Sequence, residues 1–289
     1  AAGATGTLEW IYITPPPNPI SFNFSLAYPA NVSGVQPLTS STLTRDTTGS
    51  PGVTTPGPGV TLSVPTNTAV WGGGTGNWTD TTGWTGGVVP ANSGSTTYAA
   101  RIAAGTVTNN APVTVNDLLL IGGTINNLSS LTIAGSGSSW EAGALSGIGQ
   151  LILAPGAFLT ATTSASHDFS QQQLTNQGQF IWNGAGNLRS GEGGSFVNAP
   201  NANFIDSASS GTTIPVRITA TGFTGTFTFT NSGLYQKSGA GETRIEIPFT
   251  NTPTGTIAVN TGNLHFDSPL TMQGGVINVA SGATTQLDL

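Results

Sequence analysis

Cysteine is absent from this 289-residue chain, lysine and methionine occur once each as Lys237 and Met272, and charged residues make up only 6%. Without cysteine, disulfide scaffolds, thiolate zinc sites and thiol nucleophiles are all excluded. Soluble domains ordinarily carry about 25% charged residues, so Thr, Ser, Asn, Gln and Gly must hold this surface in water. The six basic residues are scattered singly and stand against twelve acids, for a net charge of −6. Neutralising phosphates needs clustered Lys and Arg, so nucleic acid is not an expected partner. The longest aliphatic run is Leu118-Leu119-Leu120-Ile121. A membrane-crossing helix needs ~20 apolar residues, so no transmembrane helix is expected. Helix signals are missing too: no helix-length window carries an i, i+3, i+4, i+7 apolar stripe free of Gly, Pro or Thr-rich interruption.

What the chain does have is period-2 alternation in short runs bounded by Gly, Asn or Pro, as in Leu131-Thr132-Ile133 and Thr256-Ile257-Ala258-Val259. These runs repeat. Leu131-Thr132-Ile133-Ala134 and Leu151-Ile152-Leu153-Ala154 lie 20 positions apart, and Leu174-Thr175-Asn176 and Phe196-Val197-Asn198 lie 22 apart. Phe229-Thr230-Asn231 recurs as Phe249-Thr250-Asn251 after 20 positions, and Leu270-Thr271-Met272 follows after 21. The register is lost between about 205 and 228, where a longer insertion or an altered coil is expected. A β-sandwich also spaces its strands regularly, but here the repeats share residue identity as well as spacing. The prediction is an all-β protein, a right-handed parallel β-helix (a solenoid) over 104–289 with about eight or nine coils of ~21 residues.

The first 67 residues read differently. Pro15-Pro16-Pro17 is a stiff extended element. Ile20, Phe22, Phe24, Leu26 and Tyr28 then alternate with Ser21, Asn23, Ser25 and Ala27, which predicts one amphipathic strand. From Pro37 to Pro65 the chain is rich in Thr, Ser, Pro and Gly and reads as a linker. The expected organisation is an extended N-terminal arm over 1–67, a Trp/Gly-rich capping segment over 68–103, and the solenoid over 104–289. The chain begins Ala1-Ala2-Gly3, as cleavage of an export signal after small residues would leave it. With no Cys and abundant Thr, Ser and Asn, an extracellular or cell-surface bacterial protein is the expectation.

Two segments carry a family resemblance. Trp71-Gly72-Gly73-Gly74-Thr75-Gly76-Asn77-Trp78, Gly83-Trp84 and Gly86-Gly87-Val88-Val89-Pro90 resemble the Trp-Gly-rich segment that precedes the first coils of secreted and cell-surface bacterial β-helix proteins, adhesins and autotransporter passengers among them. The run Phe229-Thr230-Asn231-Ser232-Gly233, Pro248-Phe249-Thr250-Asn251, Gly255-Thr256-Ile257 and Gly262-Asn263-Leu264 is similar to their Asn-Gly repeats. The likeness runs unevenly from Trp71 to Leu264 and does not touch the arm. It implies the solenoid fold and an adhesin, stalk or fibre role, with no single activity.

Site candidates follow from residue chemistry. Asn176, Asn198, Asn231 and Asn251 sit at repeat ends, where an Asn amide can bond to its equivalent one coil away and form a ladder. Trp71, Trp78 and Trp84 are expected to cap the solenoid, with a sugar-stacking platform for surface glycans as the alternative. The solenoid's carboxylates are dispersed. Glu242 and Glu246 are the best pair for glycosidic chemistry, but Arg244 lies between them on the same face, and a charged ladder over inward Ile245 and Ile247 is the expected arrangement. His167-Asp168 and His265-Asp267 are the histidine sites, the second sharing a face. Two distant histidines and no nucleophile elbow predict no catalytic residue, no metal and no cofactor. The expected function is a non-enzymatic structural subunit whose partners are copies of itself. Leu287 and Leu289 on the last coil would receive either the strand Ile20, Phe22, Phe24, Leu26 and Tyr28 or the Trp-rich entry region of the next subunit. A carbohydrate-binding module and a glycan-active enzyme are the alternatives.

Overall fold

The computed structural model describes residues 67–209 and 215–288. The expected strand at Ile20–Tyr28, the linker and Leu289 lie outside the described residues. Short strands of two to five residues dominate, joined by turns, and among the described residues the only helical elements are single 3-10 turns at Thr81–Gly83 and Thr85–Gly87. The strands form two ten-stranded sheets and one eight-stranded sheet, and every pairing between strands is parallel. One coil shows the plan. Gln179–Trp182 lies in the first sheet, Leu188–Arg189 in the second and Gly194–Asn198 in the third, and Asn203–Asp206 then returns to the first. Parallel neighbours need a long crossover between them, and here the rest of each coil is that crossover. This is the parallel β-solenoid that the repeats predict.

The sequence repeats are register partners. Leu151 pairs with Leu131 on one side and Leu174 on the other, and Phe229 pairs with Phe196 and Phe249. Alternate residues point inward, so like side chains stack from coil to coil in a dry interior. Phe196 lies 4.8 Å from Phe229 at 4°, and Phe229 lies 4.7 Å from Phe249 at 10°. A second column runs Phe180, Phe204 and Tyr235, with rings 5.2 and 5.0 Å apart. Each such pair is worth about 0.5–1.5 kcal/mol beyond its buried area.

The lost register is a longer coil. The strands Asn203–Asp206, Val216–Thr219 and Phe227–Asn231 are more widely spaced in sequence than in other coils, yet Asn198 still pairs with Asn231 across 33 residues. At the other end, the first strands of the solenoid come from the Trp/Gly-rich segment. Asn67–Val70 pairs with Tyr98–Ile102, and Thr75–Asn77 with Thr106–Asn109, while the third sheet begins only at Val113–Val115.

In place of a third-sheet strand the first coil carries the three tryptophans. Trp71, Trp78 and Trp84 are buried, with Trp84 5.1 Å from each of the other two in edge-to-face geometry. Each indole N–H donates to a backbone carbonyl, of Gly74, Pro90 and Trp78 respectively. Gly83 is required here, because a Cβ would sit 2.3 Å from the Trp71 ring. Among the described residues no helix is long and apolar enough to cross a membrane.

Candidate functional site

The Asn ladder forms at the corner where the third sheet turns towards the next coil. The side-chain amide of Asn176 donates to Oδ1 of Asn198, Asn198 to Asn231, and Asn231 to Asn251, each at 2.8 Å. Each amide also donates to a backbone carbonyl, of Asn203, Leu234, Thr256 and Gly255 in turn. All four residues are buried, so the ladder serves the fold and presents nothing to a ligand. A shorter equivalent joins Asn109 to Asn127 in the second sheet.

The three tryptophans are a correction to the sugar-stacking alternative. A sugar needs an exposed ring face, and the faces of Trp71, Trp78 and Trp84 are covered by one another and by the first coils. The apolar driving force on three large rings packs them inward.

Chemistry on the surface concentrates on the outer face of the second sheet. Outward positions of successive coils carry Asp168, Arg189, Arg217, Arg244 and His265, flanked by Glu242, Glu246, Asp267 and Asp288. Arg189 grips Asp168 with two parallel hydrogen bonds of 2.8 Å, which raise the guanidinium further above its ordinary pKa. Arg217 pairs with Glu246. Arg244 lies 3.0 Å from Glu242 and 3.2 Å from Asp267, with Ile245 and Ile247 buried beneath as expected. The charged ladder therefore exists, but Glu246 turns to the preceding coil and Asp267 takes its place beside Arg244.

His265 and Asp267 do share a face. Nε2 of His265 is 3.1 Å from Oδ1 of Asp267 and 3.1 Å from Oδ1 of Asp288, a neighbour one coil on that inspection of either residue's sequence surroundings does not reveal. Contact with the ring holds the Asp288 carboxyl below its ordinary value. His167 behaves differently. It points inward, its Nε2 lies 2.9 Å from the carbonyl of Trp140, and burial lowers its pKa below 6.5.

A buried polar trio was not legible as a site. Asp206, Tyr235 and Lys237 are enclosed in the core of the longer coil and its neighbour, and Tyr235 donates to Oδ2 of Asp206 at 2.9 Å. Burial pushes the Asp206 carboxyl up and the Lys237 amine down, while the Tyr235 hydroxyl rises well above 10.0 through burial and the nearby carboxylate. The signal was in the stacked columns: Trp182, Asp206, Lys237 and Val259 occupy one inward position in successive coils.

The class defined by this geometry is the parallel β-solenoid. Beyond the class, comparison with known proteins finds no matching family model, curated protein or solved structure.

Proposed function

We propose that this chain is a non-enzymatic structural protein of the cell exterior, a surface filament subunit or adhesin stalk whose coils extend end to end. The observation that carries the reading is the parallel stack itself, in which every coil offers the next one the same three strands in register. Met272, Val279 and Leu287 sit in register on the inward residues Asn251, Val259 and Phe266, yet they are 40, 46 and 47% exposed. A parallel stack of this kind accepts further strands by the same backbone pairing that joins its own coils. The predicted strand at Ile20, Phe22, Phe24, Leu26 and Tyr28, on its Pro/Thr-rich tether, has the pattern to add there from a second copy, and a heterologous contact of this kind builds a filament. The burial of Trp71, Trp78 and Trp84 weighs against the carbohydrate-binding alternative.

Electron microscopy of the full chain beside a chain lacking residues 1–30 tests this. Ten first-sheet strands at about 4.8 Å spacing make a rod of roughly 45 Å. Filaments with that order of axial repeat, formed by the full chain alone, support strand-linked assembly. Filaments from both chains would keep end-to-end stacking and remove the arm from it. Isolated rods from both overturn the proposal.

A further inference from the structure

The outer face of the second sheet ends in a constellation that its ion pairs do not complete. Asp267 and Asp288 occupy neighbouring positions on adjacent strands, with the Asp288 amide donating to the Phe266 carbonyl. Like charges so placed repel. Glu242 lies close by, and among the described residues Arg244 is the guanidinium that reaches the group, so three carboxylates share one guanidinium beside the imidazole. His265 sits among them, 4% exposed. Its Nε2 faces the two Asp oxygens and is aligned as a hydrogen bond with neither, and the Oδ1 atom of Asp267 is likewise buried without a partner. Nδ1 takes a contact from Arg244, so the neutral ring carries its proton on Nε2, which points between the two carboxylates without aligning on either.

We propose that His265, Asp267 and Asp288 bind a divalent cation of the zinc type, clamping the last coil to the one before it. One imidazole nitrogen with two carboxylate oxygens suits zinc better than calcium or magnesium, which prefer all-oxygen shells. Metal–ligand bonds of 2.0–2.2 Å at a tetrahedral angle place ligand atoms about 3.4 Å apart. Here two of the three separations are 3.1 Å and all lie within 4.8 Å, so small side-chain shifts close the site. Glu242 supplies the orienting partner. Its Oε1 is 3.5 Å from Nδ1 of His265 and would accept the proton of that nitrogen, leaving the Nε2 lone pair for the cation. Arg244, now 3.1 Å from Nδ1, gives up that contact and keeps its carboxylate partners. Asp288 is half exposed, so water completes the shell.

The test is Zn2+ titrated into the chelator-treated full chain, read by calorimetry and by the melting temperature. One saturable site is expected, with a raised melting temperature that chelator reverses. His265→Ala should abolish the binding. Asp288→Asn, at a half-exposed position that the fold tolerates, should weaken it by about tenfold or more. Glu192→Gln, an acid outside the cluster, should leave it unchanged. Absence of saturable binding overturns the proposal. So does binding of equal strength in Asp288→Asn, or a Ca2+ response equal to that of Zn2+ and indifferent to His265→Ala. If His265→Ala does not fold, Asp288→Asn alone decides.

Discussion

His167 shows how one inward position couples the core to pH. The ring is buried against Trp140, 5.0 Å away at 87°, and Nε2 bonds to the Trp140 carbonyl, so the neutral ring is the one that fits. Its pKa is lowered, chiefly by burial, from the ordinary 6.5. The unfolded chain then binds the proton more readily than the folded one. The stability this residue contributes is present above pH 6.5 and is lost as pH falls below it towards the lowered folded value. Denaturant unfolding at a series of pH values should show the loss, and His167→Gln should flatten that part of the profile. An unchanged slope in the variant would refute the assignment. The trio of Asp206, Tyr235 and Lys237 works in opposite directions, since burial drives both the acid and the base towards neutrality. Removing Asp206 takes the carboxylate from the buried Tyr235 hydroxyl and Lys237 amine, the costly case, whereas an apolar replacement of the whole set need not destabilise.

At the scale of the element, the ladder is a column of four residues whose amides depend on one another. Asn198 donates to Asn231 and to the Leu234 carbonyl while accepting from Asn176. Asn198→Ala therefore strands a donor above and an acceptor below in a dry corner, and a cost of about 1–3 kcal/mol is expected. Thr230→Ala, at an outward position on the same sheet, should stay within about 0.5 kcal/mol. Equilibrium unfolding of the two variants distinguishes a cooperative ladder from incidental polar contacts, and equal effects would dismiss the ladder. Its line was readable beforehand, because Asn176, Asn198, Asn231 and Asn251 end like strands. The partners of the charged face were not. Period-2 alternation places Glu242, Arg244 and Glu246 on one side, but which acid meets Arg244 depends on how coils are offset. Asp267 and not Glu246 lies beside it.

For the whole molecule, a solenoid is close to a one-dimensional stack in which each coil is held by its two neighbours. Trp78 and Trp84 are buried in the first described coil, whereas Met272, Val279 and Leu287 in the last described coil are 40, 46 and 47% exposed. Local opening should therefore be asymmetric. In dilute, unassembled protein, the amides of Val276–Val279 and Thr284–Leu287 should exchange with deuterium faster than those of Leu234–Lys237 and Phe227–Asn231. Assembly, if it stacks coils end to end, should slow the exchange of the last coil first. Uniform exchange along the stack would refute this expectation.

By itself the sequence determined the class of fold. A repeat near 20 residues in which like residues recur, with Gly and Asn at the ends, satisfies a parallel stack, because each inward side chain then finds its own kind above and below. Few charges, no cysteine and no apolar helix stripe closed off the alternatives. The tertiary structure alone decided which distant residues meet. Asn176 and Asn198 are 22 residues apart while Asn198 and Asn231 are 33 apart, yet both pairs stand one coil apart. Turns absorb the difference at little cost on the surface, whereas the packed interior holds the register. That register buries the three tryptophans, encloses Asp206 with Tyr235 and Lys237, and brings Asp288 to His265 and Asp267. Spacing along the chain carries the period, and packing across it carries the partners.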